Sequence, residues 1–214
     1  MKLKTTSLTI LFIMIITPAV SQDITKKVSA SDQAVNTEME ARHSIGSTVF
    51  MLGNFLPEPP QFYQLNYGYK LTEKDLIIVE AITWTYKTPL GIPYGPSFDS
   101  PDEEYPGKIR AYGIGIGYQR FHWKNMYTTI QATSFLQHFL DEDNENIHNG
   151  FQLFLQLRFG YRFEFFNDCF FIEPSLVCNY WPVNTNFPED FEEVEKEWPN
   201  YFLPEPGLHF GYKF

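Results

Sequence analysis

The sequence is short of cysteine, of positive charge and of long apolar runs. Its 214 residues hold two cysteines, Cys169 and Cys178. That excludes a disulfide-stapled scaffold and any cysteine-rich zinc module. Lys and Arg number 16 against 26 Asp and Glu, a formal charge of −10. Nucleic acid is an excluded partner on this balance, because its phosphates need clustered Lys and Arg. Beyond residue 22 polar residues or glycine interrupt every apolar stretch after a few positions. A spanning helix needs roughly 20 apolar residues. The chain after that point is therefore either soluble or crosses a membrane as strands. Catalytic signatures are missing too: there is no G-x-S-x-G, no H-E-x-x-H and no P-loop.

What is present begins with an export signal. Lys2 and Lys4 precede an apolar run, Leu8 to Val20, of about 13 residues. Ala19-Val20-Ser21 then offers small residues for cleavage before Gln22. Residues 1–21 are expected to be a signal peptide, too short to serve as a membrane anchor. Residues 22–46 are polar and lack alternation, so they are expected to form a periplasmic tail that includes His43 and Ser44. Residues 47–214 are expected to form the folded domain.

A period of two dominates that domain. In residues 150–165, Phe151, Leu153, Leu155, Leu157, Phe159, Tyr161, Phe163 and Phe165 alternate with Gln152, Gln156, Arg158, Arg162, Glu164 and two glycines. Such alternation means a strand with one apolar and one polar face. Ordinary strands run about five or six residues, whereas membrane-spanning strands need about 9–11. Residues 61–71, 109–121 and 207–214 repeat the pattern. Residues 169–181 repeat it less cleanly, with Pro174 on the apolar face. Residues 126–139 are mixed, the inward face of 75–87 is left open, and 47–56 are apolar on both parities. The expected strands are thus 47–56, 61–71, 75–87, 109–121, 126–139, 150–165, 169–181 and 203–214. Short connections (72–74, 122–125, 166–168) alternate with long ones (88–108, 140–149, 182–202), apart from a short link near Pro57–Pro60. Short turns on one side and long loops on the other suit an outer-membrane barrel. The fold class predicted is all-β: a single eight-stranded antiparallel up-and-down transmembrane β-barrel. A soluble β-sandwich with an aromatic core is the competing fold.

The 38 aromatics, 21 Phe, 13 Tyr and 4 Trp, fit the same reading. Tyr69, Tyr86, Phe121, Trp123, Tyr161, Phe163, Tyr180, Trp181, Tyr212 and Phe214 fall near predicted strand ends, where membrane barrels carry aromatic girdles. The inward face is expected to hold a structural polar network of Lys70, Glu80, Arg158, Arg162, Glu173, His209 and Lys213. Buried charges must pair, so Arg158 or Arg162 is expected to meet Glu173 on the neighbouring strand.

More than half of the 26 acids lie in the long loops. They are Asp99, Asp102, Glu103 and Glu104, then Asp141, Glu142, Asp143 and Glu145, then six between Glu189 and Glu197. These loops are expected to be solvated, and they are candidates for loose capture of divalent cations. Asn146 and Gln152 stand where an EF-hand needs Gly and Glu, which rejects that motif. Residues 188–197, opening on Pro188, are rich enough in Glu for one or two helical turns over the rim. Cys169 and Cys178 are expected to be unpaired thiols.

The ending Gly207-Leu208-His209-Phe210-Gly211-Tyr212-Lys213-Phe214 resembles the β-signal read by the barrel assembly machinery of Gram-negative outer membranes, with Leu208, Phe210, Tyr212 and Phe214 as its alternating residues. Together with Ala19-Val20-Ser21-Gln22, Pro106-Gly107-Lys108 and Phe171-Ile172-Glu173-Pro174-Ser175, it makes the chain resemble small uncharacterised outer-membrane β-barrel proteins of the Bacteroidetes group, in the OmpA-like and OmpW-like size class. That resemblance implies an outer-membrane location, with lipid and lipopolysaccharide as neighbours and the assembly machinery as partner. It implies no catalytic residues and no cofactor. The expected role is non-enzymatic, structural or surface-interacting through the long acidic loops. The alternatives are a lipid-processing outer-membrane enzyme and a narrow channel for small solutes.

Overall fold

The computed structural model describes residues 41–56, 59–89 and 104–214. The predicted leader, the predicted tail as far as residue 40, and Asp99, Asp102 and Glu103 of the first long loop lie outside the described residues.

Nine strand segments follow in order: β1 (His43–Thr48), β2 (Tyr63–Lys70), β3 (Asp75–Tyr86), β4 (Lys108–Phe121), β5 (Met126–Leu140), β6 (Asn146–Tyr161), β7 (Phe163–Phe165), β8 (Phe170–Thr185) and β9 (Tyr201–Lys213). A 3₁₀ helix, Val49–Phe55, follows β1, and a helix α1, Glu189–Lys196, precedes β9. Chain neighbours pair antiparallel from β1 through β6, β6 pairs with β8, β8 with β9, and β9 returns to β1. The three residues of β7 prolong the line of β6 past Arg162 and also pair with β8. The antiparallel sheet thus closes on itself as a ring of eight strands. The closing seam runs from Ser44↔Lys213 to Thr48↔His209. Two backbone bonds between His43 and Phe214, 3.1 and 2.9 Å, continue it.

Alternation decides which face each strand turns inward. Along β4, Ala111, Gly113, Gly115, Gly117 and Gln119 are buried, whereas Tyr112, Ile114, Ile116 and Tyr118 are exposed. The small inward residues make room for β5. A Cβ on Gly113 would lie 2.6 Å from a ring carbon of Phe135, and one on Gly115 would lie 2.5 Å from Thr133 Oγ1. β3 turns Leu76, Ile78, Glu80 and Tyr86 inward and Val79 outward, which resolves the face that its sequence leaves open. β5 buries Tyr127, Thr129, Gln131, Thr133, Phe135, Gln137 and Phe139.

Turn chemistry sets the short connections. Thr72 Oγ1 accepts from the backbone N–H groups of Lys74 and Asp75 at 3.1 Å each. The β7–β8 turn holds Phe166, Asn167 and Asp168 in succession at φ of 54, 57 and 62°. That is a left-handed run, which non-glycine residues rarely adopt.

Three expectations are corrected. The predicted strand 47–56 is wrong in place: β1 starts at His43, and Val49–Phe55 coils into the 3₁₀ helix with Thr48 as its cap. A segment apolar on both parities has no polar face to lay along the interior, so it curls instead. His43 and Ser44, assigned to the tail, are therefore sheet residues, and the folded unit starts before residue 47. Tyr86, Phe121 and Trp181 do not face outward: Tyr86 and Trp181 are buried inside the ring, and Phe121 lies against the interior Arg162 guanidinium. Strands also run further than predicted at the long-loop end, β6 starting at Asn146, β8 reaching Thr185 and β9 starting at Tyr201.

Candidate functional site

The candidate site is the polar interior. Two hydrogen-bonded ladders fill it. In the first, Arg162 Nε donates to Glu173 Oε1 at 2.7 Å, and Gln119 Nε2 donates to the same oxygen at 2.9 Å. Thr129 Oγ1 then donates to Gln119 Oε1 at 3.0 Å. The Arg162 guanidinium lies between two rings, 4.7 Å from the centroid of Phe121 and 4.2 Å from that of Phe171. Of the two arginines expected to meet Glu173, Arg162 is the one that does.

In the second ladder Arg158 Nη1 lies 2.8 Å from His209 Nε2, and Nη2 donates to Gln131 Oε1 at 3.3 Å. Gln131 reaches Thr133 at 3.4 Å, and Thr133 Oγ1 donates to Glu80 Oε1 at 2.8 Å. Gln64 Nε2 donates to the other Glu80 oxygen at 2.8 Å. Between the ladders lies a cavity of about 30 Å³ whose wall includes Gln119, Arg158, Arg162, Glu173 and His209. The two predicted lysines stand apart, at the short-turn end. Lys213 pairs with Glu164 at 2.8 Å, and Lys70 with Glu73 at 3.3 Å. Five of the seven expected network residues, Glu80, Arg158, Arg162, Glu173 and His209, thus form the interior proper. The amide and hydroxyl residues that link them, Gln64, Gln119, Thr129, Gln131 and Thr133, stand outside the expected set. Their signal was present as polar residues on the inward parity of β2, β4 and β5.

At the long-loop end the interior becomes aromatic. Phe191 of α1 is buried against Phe139, at a centroid distance of 5.4 Å, and stacks on Tyr105 at 5.2 Å. Phe187 meets Phe139 edge-on at 4.9 Å, and Phe154 stacks parallel to Trp181 at 6.0 Å. Glu195, on the same helix, accepts hydrogen bonds from Tyr105 Oη and, at 2.9 Å, from Asn184 Nδ2. Burial holds the Glu195 carboxyl above its ordinary value against these two donors. Burial, reinforced by the adjacent Glu195, pushes the Tyr105 phenol up as well. The helical turns expected over the rim are α1, with Pro188 at its start.

Other predicted features are placed as follows. His43 and Ser44 point to opposite faces of β1, Ser44 inward, and His43 Nδ1 lies 2.6 Å from Tyr67 Oη. Asp141 uses its carboxylate to cap its own turn, accepting from Glu145 N at 2.9 Å. Among the described residues no three His, Cys, Asp or Glu gather as a metal-binding group. Cys169 and Cys178 are both free thiols. Leu208, Phe210, Tyr212 and Phe214 all lie on the exposed side of the ring.

No protein-family model, no curated protein and no solved structure matches the chain.

Proposed function

We propose that the chain is an eight-stranded up-and-down outer-membrane β-barrel, exported by its leader, that acts as a non-enzymatic platform for its long-loop face. The observation that carries this reading is the inversion of its surface. Outward positions of the ring are apolar: Ile114 is 73% exposed, Ile116 62% and Leu176 58%. Leu65, Val79, Ile130, Leu136, Phe159 and Leu208 extend the same surface around the other strands. A soluble monomer rarely exposes an apolar patch beyond a few hundred Å², whereas a membrane barrel needs such a band with a polar interior. Exposed Tyr69, Trp123, Phe163, Tyr180, Tyr212 and Phe214 near strand ends suit the water–lipid boundary. The alternating Leu208, Phe210, Tyr212 and Phe214 supply the stripe that the assembly machinery would read.

The filled interior counts against a solute conduit. Its ladders cross the interior, and Phe191 is buried at the long-loop end. What reaches the outside is α1 with its carboxylates and the adjoining loops, so the platform reading locates recognition there. The test is the mature protein refolded in detergent, run unheated and boiled on a gel beside far-UV circular dichroism. A β spectrum with a heat-modifiable band supports the proposal. A β-rich protein that stays soluble without detergent overturns it.

A further inference from the structure

We propose that the long-loop mouth of the ring is a binding site for an amphipathic carboxylate, a small apolar ring or chain bearing one carboxyl group, and that α1 fills it as an internal stand-in. The inference deepens the platform reading and rests on it for the outward long-loop face. Two side chains of α1, four residues apart and so on one helix face, enter the mouth. Phe191, 1% exposed, enters an aromatic well, stacking on Tyr105 and meeting Phe139 edge-on. Glu195 enters beside it. Its Oε2 accepts from Tyr105 Oη, and its Oε1 accepts from Asn184 Nδ2 at 2.9 Å. The buried Trp181 N–H, which completes no hydrogen bond elsewhere, favours the same carboxylate.

The receptor belongs to the ring and not to the helix. Tyr105 is fixed beside the end of β3, its backbone N–H donating to the Lys87 carbonyl at 2.7 Å. Phe139 belongs to β5, and Trp181 and Asn184 belong to β8. Each carboxylate oxygen has its own neutral donor, and among the described residues no lysine or arginine pairs with Glu195. The hydroxyl of Tyr86, the other ionisable group near it, accepts from Gln137 Nε2 at 2.9 Å. A helix docked for packing alone would place an apolar side chain here, because burying a carboxylate is costly. Water satisfies such donors but does not fill the well. Donors set to both oxygens of a carboxyl, next to an aromatic well, select an acid with an apolar body.

The stand-in is weakly held. α1 has eight residues, fewer than the ~12–15 that an isolated helix needs. Pro188 gives it no side-chain cap, and Phe191 is its one buried residue. On its exposed side Glu193 stands four residues from both Glu189 and Glu197, a repulsive spacing. Elements with so few buried contacts open first. A free acid that fills well and cradle together competes with α1, and its apparent affinity falls with the fraction of molecules in which α1 is docked.

The experiment is calorimetric titration of the purified full-length mature protein with phenylbutyrate, and with phenylbutanol as the same body lacking the carboxylate, beside hydrogen exchange of the α1 amides. Phenylbutyrate at saturation is expected to speed exchange across Glu189–Lys196, since ligand and helix exclude each other. Phe191→Ala empties the well and loosens α1 without touching a strand, so it should bind phenylbutyrate about tenfold or more tighter than wild type. Tyr105→Phe, added to that variant, removes one carboxylate donor and should weaken binding about tenfold or more. A purely structural α1 predicts none of these changes. The site is overturned if Phe191→Ala binds no phenylbutyrate or binds it no tighter than wild type, or if saturating ligand leaves α1 exchange unmoved. Phenylbutanol binding as tightly as phenylbutyrate, or Tyr105→Phe without effect, overturns the carboxylate cradle. The titration needs only the closed ring and runs in detergent or in plain buffer, so its failure is separate from failure of the membrane reading.

Discussion

The Arg162–Glu173 pair offers the sharpest energetic test of the interior. Both side chains are nearly sealed, at 6% and 5% exposure, and their contact is 2.7 Å. Solvent screening is therefore weak, and the surface-pair expectation of under ~1 kcal/mol does not apply. Glu173→Gln preserves shape and leaves the Arg162 cation buried between Phe121 and Phe171 without a counter-charge. Removing one partner of such a pair costs about 3–5 kcal/mol. Arg162→Met keeps a long apolar chain between the rings but strands the Glu173 carboxylate on the single amide of Gln119, at a similar cost of about 3–5 kcal/mol. The double variant strands no charge. It should lie within about 2 kcal/mol of wild type, since a buried pair replaced as a unit is often near neutral. The interaction term of the cycle should then exceed ~3 kcal/mol. The assay is equilibrium unfolding in urea, followed by tryptophan fluorescence and by the heat-modifiable band, on the four proteins in one detergent. Single variants within about 0.5 kcal/mol of wild type, or costs that simply add, would refute the argument that this pair is desolvated and coupled.

Other expectations concern the outer face and the long-loop end. Ile114→Arg, at the middle of β4 and facing outward, should cost about 2–4 kcal/mol in vesicles if it meets lipid, against about 0.5 kcal/mol or less on a water-exposed surface; urea unfolding from vesicles separates the two. Phe191→Ala should cost about 3–5 kcal/mol of α1 docking and leave the unfolding midpoint of the ring unchanged, a combination that hydrogen exchange resolves segment by segment. Docking of α1 should also depend on pH. The Glu195 carboxyl is held above its ordinary 4.5 when docked, so docking is strongest below that value and weakens as pH rises through the raised one. Glu195→Gln should flatten the profile, read from the mobility of a spin label at exposed Glu193. Gly46→Ala would set a Cβ 2.7 Å from the Phe210 carbonyl oxygen and should weaken the β1–β9 seam by about 1–3 kcal/mol, visible as a lower temperature for loss of the folded band.

Much of this could be read from residue spacing, for a physical reason that also explains the failures. Where one face meets small or polar neighbours and the other an apolar surround, the period of two is written plainly, as in β4, β6 and β9. α1 was readable from its glutamates and Pro188. β1 was not. Its six residues, His43-Ser44-Ile45-Gly46-Ser47-Thr48, carry one large apolar side chain, too little pattern to separate from a tail, while the apolar 49–55 beside it imitated a strand. The outer reach of β6, Asn146 to Asn149, has polar side chains on both faces and is ordered by pairing with β5, a long-range fact that no local pattern carries. Register shifts put an extra residue into β8 between Tyr180 and Val183 and into β9 between Phe202 and Glu205. Trp181 keeps the inward parity of Glu173, Val177 and Asn179, so its burial follows the alternation itself, which its place near a predicted strand end had overshadowed. Of the site, the charged residues were legible because a charge on an inward parity must pair. The cavity was not, because it exists only where residues of seven strands meet.

The seam between β1 and β9 bears on the order of events during folding. Its partners, Ser44 with Lys213 through Thr48 with His209, come from the first and last strands of the sheet. Every other strand pairing, β7 with β8 included, joins strands close in the chain, so the sheet can grow outward from local hairpins. The seam cannot. Until β9 is placed, the growing sheet has two raw edges, rows of unpaired N–H and C=O groups that invite a second copy to pair with them. Ring closure removes both at a single step, and that step spans nearly the whole described chain, which makes it slow relative to hairpin formation. The hazardous species on this pathway is therefore a nearly complete open sheet rather than an unfolded coil. A partner that holds β1 and β9 apart from foreign edges until they meet would speed productive folding more than one that shields apolar side chains.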